Sequence, residues 1–141
     1  MTSSISIVVL SAAAIPLLAH VADDVFDEPV DQNLAATWAS APHHIGALAV
    51  HEGIVIGQIR GYLQLNPDGP PQAMVDNLGV SPAFQRRGIA TRLWTAFTAE
   101  AKRAGATAIY VLTEPDNDAA THFYASLNLR HSEAVMFETS L

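Results

Sequence analysis

The residues most able to do chemistry lie together in the middle of the chain, as Gln85-Arg86-Arg87-Gly88-Ile89-Ala90 followed by Thr91. Two guanidinium groups immediately precede a glycine just ahead of an amphipathic stretch. Its apolar residues Ile89, Leu93, Ala96, Phe97, Ala101 and Ala104 recur at about 3.6 residues, which predicts a helix. Gly105 stands where a left-handed helix stop is expected. Before the loop, Met74–Val80 reads as a strand, closed by Ser81-Pro82 because proline cannot donate to a ladder. A strand, a basic glycine-bearing loop and a helix N-terminus together form an anion cradle. The first N–H groups of a helix have no partner within it, and its dipole adds partial positive charge there. The expected ligand at residues 85–91 carries phosphate.

Other phosphate loops are excluded by what is missing. The stretch lacks the Gly-Lys-Ser/Thr ending of a P-loop and the spaced glycines of a dinucleotide fingerprint. Composition narrows the class further. The chain has 141 residues, half of them apolar, no cysteine and a formal net charge of −7 with histidines neutral. This length predicts one domain, residues 1–141, with a sizeable core. Without cysteine there is no disulfide, thiolate-held zinc or thiol nucleophile. The negative balance makes nucleic acid a poor partner and would attract a cationic small molecule. The six histidines show no ligand spacing, so no metal is expected. The apolar start lacks a preceding Lys or Arg and is broken by Ser6, Ser11 and Pro16, unlike a signal peptide. No stretch has the length of a membrane span, and a soluble cytoplasmic protein is expected.

The elements that must position this loop follow from periodicity. Ser4–Leu10 alternates as a first strand. Ile15-Pro16 predicts a helix onset, with Leu17, Leu18, Val21, Val25 and Phe26 as its apolar stripe. His20, Asp23, Asp24 and Asp27 would then share its polar face. Asp31 is placed to cap a second short helix ending near Trp38. Runs 44–51 and 54–65 predict a hairpin about Glu52-Gly53, and Asn66–Pro71 a loop. Thr107–Thr113 predicts a buried strand, Asn117-Asp118 the start of a helix carrying Ala120, Phe123, Tyr124 and Leu127, and Ala134–Thr139 a last strand. The order β-α-α-β-β-β-α-β-α-β is an α/β mixture with an antiparallel front and a βαβ crossover behind.

The pattern Gln/Arg-x-x-Gly-x-Gly/Ala at Gln85–Ala90, with Leu78-Gly79-Val80-Ser81-Pro82 before it, resembles the GNAT superfamily of acetyl-CoA-dependent N-acetyltransferases. Asn117-Asp118-Ala119-Ala120, Phe123-Tyr124 and Leu127-Asn128-Leu129-Arg130 extend the resemblance over essentially the whole chain. It implies a mixed, mostly antiparallel sheet with helices on both faces and acetyl-CoA as cosubstrate. In such enzymes the loop amides, here Gln85, Arg86, Arg87, Gly88, Ile89, Ala90 and Thr91, hold the CoA pyrophosphate. The backbone of Leu78, Gly79 and Val80 pairs with the pantetheine arm. Asn117, Ala120 and Phe123 contact the cofactor from the other side. Tyr124 stands where the general acid protonates the departing thiolate; the alternative is an ordinary helix-face core tyrosine. A backbone N–H such as that of Val80 would hold the oxyanion.

The acceptor side is carried by a narrower resemblance. Asp24–Asp31, His43-His44 and Glu133–Phe137 look like a subgroup akin to class I aminoglycoside 3-N-acetyltransferases. That implies a small amine acceptor, walled by the first helices, with Asp27, Glu28 and Asp31 facing a cationic substrate. Relatives commonly carry a carboxylate where this chain has Asn77, and an amide cannot take a proton. Asp76 is the remaining base candidate. It faces the wrong side in a regular strand unless a bulge re-aims it. A polyamine, an amino-acid derivative, a protein amine, or a non-catalytic acyl-CoA-binding module are the other readings. GNAT enzymes of this size are often homodimers.

Overall fold

A computed structural model describes residues 4–141. Its centre is a five-stranded sheet in the order β1 (Ser6–Val9), β2 (His44–His51), β3 (Ile54–Asn66), β4 (Gly69–Val80), β5 (Ile109–Val111). The first four strands are antiparallel neighbours, and β5 joins β4 in parallel. The expected mixed, mostly antiparallel sheet is therefore present. Glu52 and Gly53 both have positive φ, 51° and 78°, the geometry of a two-residue turn whose twist matches the strands it joins. The expected loop at 66–71 is tighter than its prolines suggested. Only Pro67 and Asp68 lie outside the strands, and Pro70 and Pro71 sit near the start of β4, where a missing donor is tolerated.

Alternation along the strands sends side chains to two cores. On one face Leu48 and Val55 pack with Ala14, Leu18, Val25 and Ala35, from a 3-10 helix (Ala12–Ala19), a turn, and helix α1 (Gln32–Ser40). On the other, Ala47, Ala49, Ile59 and Val75 pack against helix α2 (Ile89–Arg103). The buried residues of α2 are Ile89, Leu93, Phe97 and Ala101, one every fourth position. The Gly105 N–H donates to Lys102 O and the Ala106 N–H to Ala101 O, both at 3.0 Å. This is the paired C-terminal closure expected of a glycine with φ 91°. Asp31 caps α1 as expected, its Oδ1 accepting from the N–H groups of Asn33 and Leu34.

Three elements differ from expectation. The buried strand expected over 107–113 is only the three residues of β5, with Tyr110 exposed, because β5 lies at the edge of the sheet. The helix expected from Ile15 through Asp27 exists only as the 3-10 helix, which ends at Ala19. Val55 N–H donates to His20 O and Ala22 N–H to Val55 O, so the backbone leaves the helical ladder to bond β3. Asp24 then takes φ 60°. The shared acidic helix face does not form. Asp23, Asp24, Asp27 and Glu28 instead ring an exposed turn whose anchor, Val25, is 1 % exposed. The last strand expected at 134–139 pairs with nothing among the described residues, and Val135, Met136 and Phe137 are exposed. A β pattern marks what could join a ladder, and the partner edge must be supplied elsewhere.

The chain falls into two compact units. The first ends at Val111; the second, Leu112–Leu141, contains helix α3 (Asp118–Ser126).

Gly61 marks the closest approach of β3 and β4. A Cβ there would lie 1.8 Å from Met74 O and 2.9 Å from the Phe97 ring. Gly61→Ala is expected to cost about 1–3 kcal/mol through strand displacement, read as a lower urea midpoint with an unchanged m-value.

Candidate active site

The loop between β4 and α2 is built by strain and capping. After Pro82–Phe84, a single 3-10 turn, the backbone takes positive φ at Arg86 (64°) and at Gly88 (77°). Gly88 is the N-cap of α2, and the first helical bond is Arg92 N–H to Gly88 O. The N–H groups of Ile89, Ala90 and Thr91 thus lie ahead of the helical ladder, at the positive end of the dipole. Ile89 is itself buried and anchors this end of α2 to the sheet. The space beside Gly88 is open: no atom lies within 4 Å of where its Cβ would be. Gln85 Nε2 donates to Val80 O at 3.0 Å and ties the loop to the end of β4. The Arg87 guanidinium lies 5.1 Å over the Phe84 ring, so one loop cation is held by stacking.

Past Val75, β4 has no ladder partner on its β5 side among the described residues. Its pairing with β5 covers only Ala73–Val75, whereas β4 continues to Val80. Ser81 N–H donates to Ile56 O, which makes Ser81 opposite Ile56 a hydrogen-bonded position. Alternation then makes Val80 (opposite Gly57) and Leu78 (opposite Ile59) non-bonded positions, with N–H and C=O turned away from β3. Apart from Val80 O, which accepts from Gln85 Nε2, these are the backbone groups that an extended ligand could pair with as an added strand. Their side chains pack against the α2 core.

A third group of residues lies on the other face of β3 and β4. Arg60 pairs with Asn77 and Gly61 with Val75, so Asp76 is an extra residue in β4. This bulge lets Asp76 Oδ2 lie 3.4 Å from Arg60 Nε. The Arg60 guanidinium in turn sits 5.9 Å from the Phe26 ring centroid. Beside it, fully buried Gln58 donates through Nε2 to Val25 O (3.1 Å) and to Asn77 Oδ1 (2.6 Å). A carbonyl can only accept, so Val25 O fixes which end of Gln58 is the amine. Asn77 must then meet that amine with its oxygen. Gln58 Oε1 is left buried without a partner among the described residues. Gly79 completes the contact, because a Cβ there would lie 2.4 Å from Val25 O. The turn carrying Phe26, Asp27 and Glu28 is thereby pinned to β4. Asp31 is occupied as the α1 cap.

Sequence reasoning missed Gln58 and Arg60. The available signal was a polar residue at every second position of an apolar run, Ile56-Gly57-Gln58-Ile59-Arg60.

In the second unit, Asn117 Oδ1 accepts from Ala120 N–H at 3.1 Å and caps α3. The Phe123 and Tyr124 rings meet edge to face at 5.1 Å. Burial pushes the Tyr124 hydroxyl up to about 12, so it keeps its proton throughout the neutral range. Among the described residues, no group of His, Asp and Glu could hold a metal ion, and no helix is long and apolar enough to cross a membrane.

Residues 15–128 match the acetyltransferase (GNAT) family. The chain belongs to that family. As a member it is an N-acetyltransferase with acetyl-CoA as cosubstrate, the activity its loop and strand edge were expected to serve. No curated protein matches it by sequence. Among solved structures, it is similar to an aminoglycoside acetyltransferase from an uncultured soil metagenomic sample in complex with sisomicin. The TM-score is 0.85 at 20 % identity over 97 % of this chain and 96 % of that one. Aminoglycoside N-acetyltransferase AAC(6')-Iy, in complex with a CoA bisubstrate analogue of acetylneamine, gives 0.80 at 18 % identity, covering 99 % of both chains. A ribosomal-protein-alanine N-acetyltransferase from Brucella melitensis biovar Abortus 2308 gives 0.75 at 16 %, covering 98 % of this chain and 100 % of that one. Likeness at these identities shows the shared GNAT fold.

Gln58→Glu tests the buried amide network. A carboxyl group offers at most one donor, and only when protonated, where Val25 O and Asn77 Oδ1 both accept. Burial raises the folded-state pKa of such a glutamate, so its deficit is largest at neutral pH and shrinks toward about pH 4. The expected loss at pH 7 is about 1–3 kcal/mol, with the urea midpoint recovering relative to the parent at pH 5.

Proposed function

We propose that this protein transfers acetyl from acetyl-CoA directly to a primary amine of a small acceptor. The observation that carries this reading is the stretch of β4 at Leu78 and Val80, without a ladder partner on its β5 side among the described residues, running into the Gln85–Thr91 loop. It offers strand-like pairing for an extended arm and unbonded N–H groups for its phosphates, in one continuous segment. In the reaction the amine nitrogen forms a bond to the thioester carbon, and the carbon–sulfur bond breaks. Val80 N–H is the oxyanion donor in this reading. Tyr124 gives its proton to the thiolate, consistent with a hydroxyl that stays protonated. Asp76, the carboxylate on the bulge and paired with Arg60, receives the amine's proton through solvent in this reading.

Aminoglycosides are one candidate acceptor. The metagenomic neighbour binds sisomicin, and the exposed Asp27 and Glu28 would attract a cation. The second reading is an acyl-CoA-binding module without turnover. It is favoured by Asn77, whose oxygen is engaged by Gln58 and cannot act as a base.

Release of CoA thiol with a panel of amines separates the two. Tyr124→Phe should lower kcat by about 10²–10⁴-fold while acetyl-CoA affinity stays near that of the parent. Because the Tyr124 hydroxyl titrates only near 12, the loss should be uniform across the neutral and mildly alkaline range, removing no limb of the profile. Tight CoA binding with no turnover of any amine would support the module instead. Gly88→Ala has room for its Cβ and should fold, at a cost of about 1–2 kcal/mol for the left-handed backbone. It should also weaken CoA binding at least tenfold by calorimetry. Unchanged affinity would remove the phosphates from this loop.

A further inference from the structure

We infer that the acceptor is a zwitterion, an amine with a carboxylate on a neighbouring carbon, held by Arg60, Asn77 and Asp76. This rests on the acetyl-transfer reading above and narrows its substrate class. Three observations on one face of β3 and β4 carry it. First, the Val25 carbonyl fixes the Gln58 amide, and Gln58 fixes Asn77 with its oxygen turned inward. Half-buried Asn77 therefore offers its Nδ2 hydrogens, a donor, to anything that approaches. Second, Arg60 is a third exposed, stacked against Phe26, and ion-paired with Asp76 at Nε, which makes no hydrogen bond among the described residues. Its two terminal nitrogens have no hydrogen-bonding partner among the described residues, and they form the fork that matches a carboxylate. Third, Asp76 is an exposed carboxylate 3.4 Å from that guanidinium.

Two donors and one carboxylate side by side sort possible acceptors by charge. A polycation meets Arg60 as repulsion, which offsets what Asp76 contributes. A simple carboxylate meets Asp76 in the same way. An ammonium and a carboxylate on adjacent carbons satisfy both, with the carboxylate on Arg60 and Asn77 Nδ2 and the ammonium against Asp76. The ammonium then lies beside the group that can receive its proton. The outer carboxylates Asp27 and Glu28, on the turn that carries Phe26, set a negative approach and leave this inner arrangement unchanged.

The test uses the full chain, acetyl-CoA, the common L-amino acids, their α-amides, and sisomicin. The inference expects kcat/KM for the best amino acid to exceed that for its α-amide at least tenfold, mainly through KM, and to exceed that for sisomicin. In Arg60→Gln the preference for carboxylate over amide should collapse, with KM for acetyl-CoA unchanged. Asn77→Asp, which replaces the donor by an acceptor, should shift preference toward the amide and the aminoglycoside. Equal or better turnover of the amides or of sisomicin by the parent, or a preference that survives Arg60→Gln, overturns it. If no amine is turned over, the acetyl-transfer reading fails, and calorimetry on the CoA-loaded protein decides the site separately. At least tenfold tighter binding of an amino acid than of its amide, lost in Arg60→Gln, upholds the site, and equal binding rejects it.

Discussion

One extra residue in β4, Asp76, sets the geometry on both of its sides. The parallel ladder with β5 ends at Val75, just before the bulge, and the stretch unpaired on that side begins just after it. A regular β4 would keep Asp76 in phase with β3; the bulge puts its carboxylate beside Arg60. The same local irregularity thus stands between the paired and the unpaired stretch of β4 and re-aims a carboxylate toward Arg60. Gly61 makes it possible, because β3 passes too close to Met74 O at this point for any side chain.

A second constraint works across the sheet. The turn 23–28 has little regular structure of its own, yet Val25 is buried and its carbonyl is held between Gln58 and the bare backbone of Gly79. An acceptor-only group at the centre of an amide pair removes the freedom to flip. The hydrogen-bonding sense of Asn77 is therefore decided by a backbone oxygen fifty-two residues earlier in the chain. Gln58 Oε1 remains buried without a described partner in this arrangement, a cost the fold carries to hold the pair in one orientation.

The loop between β4 and α2 depends on burial behind it. Ile89, Leu93, Phe97 and Ala101 lock α2 to the sheet, so the helix start cannot drift from the end of β4. With both ends fixed, the chain between them tolerates a left-handed arginine at position 86 and a left-handed glycine at 88. Such backbone is stable only where the surroundings over-determine it. The N–H groups it leaves unbonded are the ones a phosphate would use.

The sequence alone determined everything that rests on short-range rules. Glycine at positive φ, the capping carboxylate of Asp31 and amide of Asn117, and the four-residue spacing in α2 depend on neighbours a few residues away. These place the loop at 85–91 and the strand before it, and they were legible. The helix expected at 15–27 failed because residues 20–22 bond to β3 instead, and local propensity cannot see that partner. The expected strand at 134–139 has a β pattern and no described edge to join. Only the tertiary structure could join Arg60 to Asp76 across a bulge and Gln58 to Val25 across thirty-three residues. The loop at 85–91 is written in contiguous residues, because a strand end and a helix start a few residues apart suffice to shape it. The cluster of Gln58, Arg60, Asp76 and Asn77 is assembled from separate strands and a turn, so its contacts exist only once the sheet has set their register.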